Sequence, residues 1–320
     1  MKQVLIQFTS TLGEEIMGVK IKYIVDELKF ELVHASIDYK DIEIESSDIN
    51  RPGLQLNGYY SNFVKDRIQL IGTQEWHYIN SMEDKMRYET LEKLFIYDIP
   101  AVIFSRNAEI FPQAIELAKK YNVTILRSPD STSKVFSKII SLVEDELAPT
   151  MRMHGVLLDI SGIGVLITGR SGIGKSETAL DLISNGARLI SDDSVIIKNL
   201  DKRLIGKSPE ITKYFMEIRG VGIIDIQKMF GVGFVMEEKE IEVVVNLEDW
   251  DESKEYERLG LDNKYQSILG IDVVRFDIPV KPGRHTALII EVATKNYKQK
   301  ELGYNPAEAL NNRLMGGKRN

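Results

Sequence analysis

Apolar and polar positions alternate along residues 1–130 in short stretches that switch between the periods of strands and of helices. An apolar run at residues 101–104 is followed by a helix-like pattern at 110–121 and by a second apolar run at 123–126. This succession predicts a small βαβ element. Residues 3–8 are a further predicted strand. The pattern therefore indicates an amino-terminal α/β domain, whose role the sequence leaves open.

A Ser- and Pro-containing break and a helix-like stretch that ends before Ala148-Pro149 mark a domain boundary, so residues 131–149 are predicted to form a connecting helix. The second domain, residues 150–320, opens with two apolar runs separated by Ser161-Gly162. So short a turn predicts an antiparallel hairpin. Residues 287–293 are a later apolar run, predicted as a strand. The predicted fold class is α/β in both domains, with a mixed sheet in the second.

Composition narrows the class of protein. The 320 residues suffice for two cores, and 43% hydrophobic with 28% charged residues is typical of a globular protein. The sequence lacks an apolar run of about 18 residues and the basic and apolar regions of a signal peptide. The absence of cysteine excludes disulfides and thiolate metal sites, and a net charge of −7 argues against an extended nucleic-acid-binding surface. We expect a cytoplasmic protein that binds neither membranes nor nucleic acid.

The main candidate for chemistry lies between an apolar strand and a helix-like stretch. It reads Gly169-Arg170-Ser171-Gly172-Ile173-Gly174-Lys175-Ser176, which matches the phosphate-binding loop pattern. In such a loop the backbone N–H groups surround phosphate oxygens, Lys175 reaches the outer phosphates and the Ser176 hydroxyl faces Mg²⁺. The alternative is an accidental glycine-rich turn. The strand-loop-helix setting favours nucleotide binding.

Acidic and basic residues follow in three places. Asp192-Asp193 ends a short apolar strand and fits magnesium binding or general-base catalysis, with a plain turn as the alternative. Which carboxylate faces the phosphate is open at this point. Glu217 and Arg219 are predicted to lie on one side of an extended segment. They could bind a metal and a phosphate, respectively, or they could form a surface ion pair. Residues 276–285 are predicted to form a basic turn that contacts either an anion or only solvent.

These motifs together resemble the HPr kinase/phosphorylase family of bacterial enzymes, over nearly the whole chain. The segments that carry the resemblance are Asn50-Arg51-Pro52-Gly53-Leu54, His154-Gly155, Gly174-Lys175-Ser176-Glu177-Thr178, Asp192-Asp193, Glu217-Ile218-Arg219-Gly220-Val221-Gly222-Ile223-Ile224, Tyr256-Glu257-Arg258-Leu259-Gly260 and Pro279-Val280-Lys281-Pro282-Gly283-Arg284.

The resemblance implies a carboxy-terminal kinase domain with a phosphate-binding loop. That domain would phosphorylate a serine of the phosphocarrier HPr with ATP, or with pyrophosphate, and dephosphorylate it with inorganic phosphate to give pyrophosphate. By the same resemblance Ser176 and Glu217 serve Mg²⁺, and Asp193 takes the serine proton. The other implied residues are His154, Lys175 and Arg258 in the active site, the segment from Met216 to Asp225 in both reaction directions, and Pro279 to Arg284 chiefly in dephosphorylation.

The family further implies a homohexamer in which the last helix, including Asn311-Asn312-Arg313-Leu314, reaches HPr on a neighbouring subunit. The role of such an enzyme would be the control of carbon metabolism and sugar uptake, known as carbon catabolite repression. Three residues depart from common family choices: Arg170 within the loop, Ser161 in place of a frequent tyrosine, and Lys281 where arginine is usual. The last exchange leaves the balance of the two activities open.

Two other functions are consistent with the same residues. A small-molecule kinase or simple NTPase would use the same loop and acids, and would turn over without HPr. A nucleotide sensor without catalysis would bind ATP and would tolerate Asp193→Asn. A sensor has little need for a base beside the γ-phosphate, which favours an enzyme.

Overall fold

The computed structural model describes residues 18–254 and 264–316, and the chain divides between Leu147 and Ala148 into two compact units. The strand predicted at residues 3–8 lies outside the described residues. Within the described residues, every helix is too short or too polar to span a membrane.

The first unit contains seven strands and six helices among its described residues. In chain order they are β1 (Val19–Lys20), α1 (Ile21–Leu28), β2 (Glu31–His34), β3 (Glu43–Ile44), β4 (Ile49–Asn50), α2 (Gly53–Leu56), β5 (Ile68–Ile71), α3 (Thr73–Asn80), α4 (Asp84–Phe95), β6 (Val102–Phe104), α5 (Pro112–Tyr121), β7 (Ile125–Arg127) and α6 (Thr132–Leu147).

The main sheet of the first unit has the strand order β2-β7-β6-β5-β4. Strands β4 to β7 are parallel, and β2 is antiparallel to β7. The predicted βαβ element is confirmed, since β6, α5 and β7 form a parallel pair with its crossover helix. Helix α6, predicted as a connector, buries Val135, Ile139 and Val143 in the core of this unit with Ile21 and Ile24. Their spacing of four residues places them on one helix face.

The second unit contains twelve strands and four α-helices among its described residues. They are β8 (Thr150–His154), β9 (Val156–Ile160), β10 (Ile163–Gly169), α7 (Lys175–Ser184), β11 (Arg188–Ser191), β12 (Ser194–Leu200), β13 (Arg203–Lys207), β14 (Phe215–Ile218), β15 (Gly222–Asp225), α8 (Ile226–Phe230), β16 (Glu238–Glu240), β17 (Val243–Asp249), β18 (Lys264–Ile268), β19 (Ile271–Val280), α9 (Thr286–Glu301) and α10 (Pro306–Gly316), with 3-10 turns at Glu210–Thr212 and Val232–Phe234.

A six-stranded mixed sheet, with the order β11-β9-β10-β17-β19-β18, is the centre of the second unit. Strands β10, β17 and β19 are parallel, whereas β9 pairs antiparallel with β10 through Ser161-Gly162. The predicted hairpin and mixed sheet are therefore confirmed. Alternate residues face opposite sides: Leu157 and Leu166 pack toward the four-stranded sheet β16-β13-β12-β8, and Val165 packs toward helices α7 and α9.

The prediction of a strand at residues 287–293 is wrong, because these residues belong to helix α9. Thr286, Ala287, Ile290 and Thr294 are its buried residues, and the last three recur at spacings of three and four that fit one side of a helix. A short apolar run has no unique period, so the sequence pattern alone does not separate a strand from a buried helix segment.

Gly164 in β10 offers a test of this packing. A Cβ at this position would lie 1.7 Å from the backbone oxygen of Glu240, so Gly164→Ala requires the backbone to move. We expect the substitution to lower the free energy of unfolding of the second unit by at least about 2 kcal/mol. Gly233→Ala is the matched control, because a Cβ at Gly233 has no neighbour within 4 Å, and should change the free energy by less than about 0.5 kcal/mol.

The measurement is urea unfolding in a Trp76→Phe background. The sequence contains two tryptophans, so the fluorescence of Trp250 then reports the second unit. Equal stability of the two glycine variants would contradict the packing of β10 against Glu240.

Candidate active site

The glycine-rich segment connects β10 to α7, and its backbone adopts conformations that favour glycine. Gly169 and Gly174 have φ values of 139° and 99°, and a Cβ at Gly169 would lie 2.6 Å from the backbone oxygen of Leu247. Lys175 begins α7, and its Nζ donates to the carbonyl oxygens of Gly169 at 3.0 Å and Arg170 at 3.2 Å. Burial lowers the pKa of Lys175, although the nearby carboxylates Asp193 and Asp192 act in the opposite direction. The ammonium group is thus held against the loop.

Asp192 lies beneath the start of α7 and is only 5% exposed. Its Oδ1 accepts a hydrogen bond from the Ser176 hydroxyl at 3.0 Å, and its Oδ2 accepts one from the Glu217 backbone N–H at 3.3 Å. Burial raises the pKa of Asp192, and these two hydrogen bonds oppose the shift. One carboxylate therefore connects helix α7 to strand β14.

The side chain of Asp193, the next residue, is exposed, unlike that of Asp192. Its φ of 67° places it in the left-handed region, and its side chain is 78% exposed. The Nδ1 atom of His154 lies 3.0 Å from Asp193 Oδ1 and 2.9 Å from its carbonyl oxygen. Strand pairing brings the two residues together, because His154 is opposite Ser194 in the β8–β12 ladder. The two adjacent aspartates thus differ in their surroundings: Asp192 is buried and Asp193 faces solvent beside His154.

A cavity of about 130 Å³ joins these groups. Its walls combine three cationic or titratable nitrogen side chains, four carboxylates and part of the glycine-rich loop. The lining residues are His154, Ser171, Gly172, Gly174, Lys175, Ser176, Glu177, Asp192, Asp193, Glu217 and Arg219. The guanidinium of Arg219 lies close to the loop, since a Cβ at Gly172 would be 3.0 Å from Arg219 Nη1.

Several of the described residues that the sequence indicated as site candidates do not line this cavity. Arg170 forms a two-bond ion pair with Asp249 at 2.6 and 2.7 Å, and Ile173 packs in the apolar core. Arg258 lies outside the described residues. Asp192, one of the two candidate aspartates between which the sequence does not choose, lines the cavity, and so does Glu177, to which the sequence analysis gives no role. The doubled aspartate and the acidic first turn of α7 were the signals for them.

The basic turn at residues 281–284 follows β19, on the same sheet edge as the glycine-rich loop, because β10, β17 and β19 are parallel neighbours. Lys281 Nζ lies 5.1 Å and Arg284 Cζ 5.6 Å from the ring centre of Trp250, which follows β17. Two strand spacings separate β10 from β19, or about 10 Å. The edge thus carries, in order, the loop, the Arg170–Asp249 pair and this basic turn.

The oxygen atoms of Ser176, Asp192 and Glu217 suit Mg²⁺, a hard cation that prefers oxygen ligands. Among the described residues, no group of three or more His, Asp or Glu side chains forms a metal site by itself. Mg²⁺ usually binds through one or two carboxylates together with phosphates and water, so the residues present fit it.

The fold and the site define an α/β protein with a carboxylate-rich cavity at the amino end of a helix. The profile of the family described as HPr Serine kinase C-terminal domain matches residues 145–314, and that of HPr Serine kinase N terminus matches residues 19–143. The chain belongs to the HPr serine kinase family.

Relatives of similar length match 93% of the chain. A protein from Peptoclostridium acidaminophilum named HPr kinase/phosphorylase is 48% identical over 298 residues, which are 93% of this chain and 96% of that protein. One of the same name from Clostridium beijerinckii is 46% identical over 299 residues, 93% of this chain and 98% of that protein. A solved structure, the Hpr(Ser) kinase/phosphatase from Coxiella burnetii, is 34% identical and covers 50% of this chain and 98% of its own, with a TM-score of 0.46.

The opposite pKa shifts of buried Asp192 and partly buried Asp277 predict opposite pH effects on stability. The folded-state pKa of Asp192 is raised, so its contribution to stability is present below the unfolded pKa and is lost as pH rises through the folded pKa. The stability of Asp192→Asn relative to the wild type should therefore increase between about pH 4 and about pH 7.

Asp277 is the matched control for this prediction. Burial raises its pKa, but hydrogen bonds from Lys264 and Arg275 outweigh burial and lower it overall. Its contribution is present above the unfolded pKa and is lost as pH falls, so Asp277→Asn should lose stability relative to the wild type as pH rises. Urea unfolding in EDTA buffer measures both. The same sign of pH dependence in the two variants would contradict the assignment.

Proposed function

We propose that this chain is a bifunctional HPr serine kinase and phosphorylase. It transfers the γ-phosphoryl group of ATP to a serine hydroxyl of HPr, and it removes that group by phosphorolysis, with inorganic phosphate as acceptor and pyrophosphate as product. One observation carries the proposal: Lys175 and Ser176, at the start of α7, line the same cavity as Asp193 and its neighbour His154. Membership of the family supplies the substrate class.

The glycine-rich loop, Gly169 to Ser176, holds the phosphates of the nucleotide. Its backbone N–H groups and the amino end of α7 offer positive partial charges, and Lys175 adds a full charge. Lys175 Nζ donates to two loop carbonyl groups. In the proposed reaction it contacts the β- and γ-phosphates of the nucleotide. Pyrophosphate has the same groups as the end of ATP, so it is an alternative donor.

Ser176 and Glu217 would hold Mg²⁺, which would neutralise charge on the phosphates when bound. The carboxylate of Asp192 accepts hydrogen bonds from the Ser176 hydroxyl and from the Glu217 backbone N–H, and so holds both residues in place. This arrangement fixes the direction of the Ser176 oxygen before a ligand arrives, and such preorganisation is where a protein contributes most to phosphoryl transfer.

Asp193 is the general base. Its exposed carboxylate accepts the proton from the serine hydroxyl of HPr while the serine oxygen bonds to the γ-phosphorus and the bond to ADP breaks. In the reverse direction an oxygen of inorganic phosphate bonds to the phosphorus, the serine oxygen leaves with the proton from Asp193, and pyrophosphate forms. His154, whose Nδ1 lies 3.0 Å from Asp193 Oδ1, orients the carboxylate.

Two further segments position the phosphoryl group and its acceptor. The β14–β15 hairpin, from Met216 to Asp225, places Arg219 beside Gly172 of the loop, where it stabilises charge in both directions. The basic turn from Pro279 to Arg284 holds inorganic phosphate in phosphorolysis, because its charges lie at the same sheet edge. Arg258 completes the active site by family resemblance.

The last helix, α10, contacts HPr bound to a neighbouring subunit of a homohexamer. Its surface fits such a role, since Leu310 and Leu314 are one turn apart and are 55% and 65% exposed. By its family, this enzyme acts in the cytoplasm and regulates carbon metabolism and sugar uptake, an effect called carbon catabolite repression.

Asp193→Asn tests the base. We expect the rate of phosphoryl transfer from ATP to HPr to fall by about 10²–10⁴-fold, because an amide does not accept the serine proton. Nucleotide binding should remain, since the loop is unchanged. Asp272→Asn, an exposed aspartate at the start of β19, is the control and should retain the wild-type rate. An Asp193→Asn enzyme with the full rate would exclude this base, and ATP turnover without HPr would indicate an NTPase.

Lys281→Ala and Arg284→Ala test the basic turn. We expect each to raise the KM for inorganic phosphate in phosphorolysis by at least about tenfold, the loss of one charge-assisted contact. The kinase rate with ATP should change less than about twofold, and serves as the internal control. An equal loss in both directions would show that the turn supports the whole site rather than the acceptor phosphate.

A further inference from the structure

The first unit has a cleft of its own, with a volume of about 530 Å³. It lies where the parallel strands β4, β5, β6 and β7 end, because its lining residues come from the segments that directly follow them. In open α/β sheets the crevice outside the carboxyl ends of the strands is the usual place for a ligand. The volume is also in the range of small-molecule sites.

Arg51 lines the cleft and is held in place by an ion pair with Glu75. Its Nη2 donates to both carboxylate oxygens of Glu75, at 2.8 and 2.9 Å, and Glu75 is only 8% exposed. Glu75 also accepts a hydrogen bond from the Gly72 N–H at 3.0 Å. The guanidinium is thus anchored on one side, while the 43% exposed side chain lines the cleft. This is how proteins orient an arginine toward an anion.

Arg106 adds a second positive charge from the loop after β6. Its backbone N–H donates to the Asp130 carbonyl oxygen at 2.9 Å, and its φ of 60° lies in the left-handed region. Its side chain is exposed and forms no ion pair with the described residues. No carboxylate belongs to the described lining of the cleft. Arg106 therefore faces this space without an ion-pair partner among the described residues, whereas the charge of Arg51 is balanced by Glu75, which lies outside the lining.

Hydroxyl groups and one aromatic ring complete the cleft. Thr73 begins α3, and Thr132 with Ser133 begins α6, helices of 8 and 16 residues. Their first N–H groups and hydroxyls suit phosphate oxygens. Phe136, one turn into α6, lines the same cleft and is 36% exposed. An exposed aromatic face next to an anion site fits a flat ring joined to a phosphate.

We propose that this cleft is a second nucleotide site, separate from the cavity of the second unit. The phosphates contact Arg51, Arg106 and the amino ends of α3 and α6, and the base stacks on Phe136. The site gives the amino-terminal unit a ligand-sensing role. It stands independently of the function proposed for the second unit, because it uses residues of the first unit alone.

Equilibrium dialysis of the full chain with labelled ADP tests the site. We expect two ADP molecules per wild-type chain and one per chain in Lys175→Ala, which disables the loop of the second unit. In the Lys175→Ala background, Arg106→Gln should raise the Kd of the remaining ADP by at least about tenfold. Lys85→Gln is the matched control, an exposed cation of the same unit outside the cleft, and should leave that Kd unchanged.

Two further experiments, a substitution of Phe136 and photolabelling, identify the class of ligand. Phe136→Ala should weaken ADP binding in the Lys175→Ala background without changing the binding of inorganic phosphate. Photolabelling with 8-azido-ADP should mark a peptide that contains residues 133–138. A Lys175→Ala chain that binds no ADP would overturn the proposal, and so would ADP binding that Arg106→Gln leaves intact. If inorganic phosphate competed as well as ADP and Phe136→Ala had no effect, the cleft would be a phosphate site and the nucleotide assignment would be wrong.

Discussion

The buried carboxylate of Asp192 determines the arrangement of the active-site cavity. It accepts hydrogen bonds from Ser176 at the start of α7 and from the backbone of Glu217 in β14. One carboxylate therefore links helix α7, strand β14 and the segment after β11 that contains Asp192. Burial of a carboxylate is unfavourable unless hydrogen bonds satisfy it, and these two bonds do so only when helix, strand end and hairpin are all in place. The orientation of the Ser176 hydroxyl and the position of the β14–β15 hairpin follow from this contact.

The adjacent aspartates thereby acquire different roles from one local feature. The left-handed backbone of Asp193 reverses the direction of its side chain, so one carboxylate is buried as a support and the other stands beside His154 in solvent. The parallel order of β10, β17 and β19 then brings the basic turn to the same edge as the glycine-rich loop. The proposed donor site, base and acceptor site therefore all depend on one sheet edge and on one hydrogen-bonded acid.

Local patterns were enough to predict the strand-loop-helix around Gly169–Ser176, the β9–β10 hairpin and the β6-α5-β7 element, because each depends on residues that are close in sequence. Other features depend on distant partners. Arg170 pairs with Asp249, which is 79 residues away, and the orientation of Asp192 requires the backbone of Glu217. The apolar run at 287–293 was assigned to a strand because its period is ambiguous, and only packing against the sheet identifies the helix.

Recovery of one labelled phosphoryl group through both reactions tests the central claim, that a single site works in two directions. HPr is labelled from γ-labelled ATP, separated from nucleotide, and returned to fresh enzyme with inorganic phosphate. The account predicts that the label leaves HPr as pyrophosphate and that it stays on HPr when phosphate is omitted. Release of the label as free phosphate, with or without added phosphate, would contradict it, because water and not phosphate would then be the acceptor.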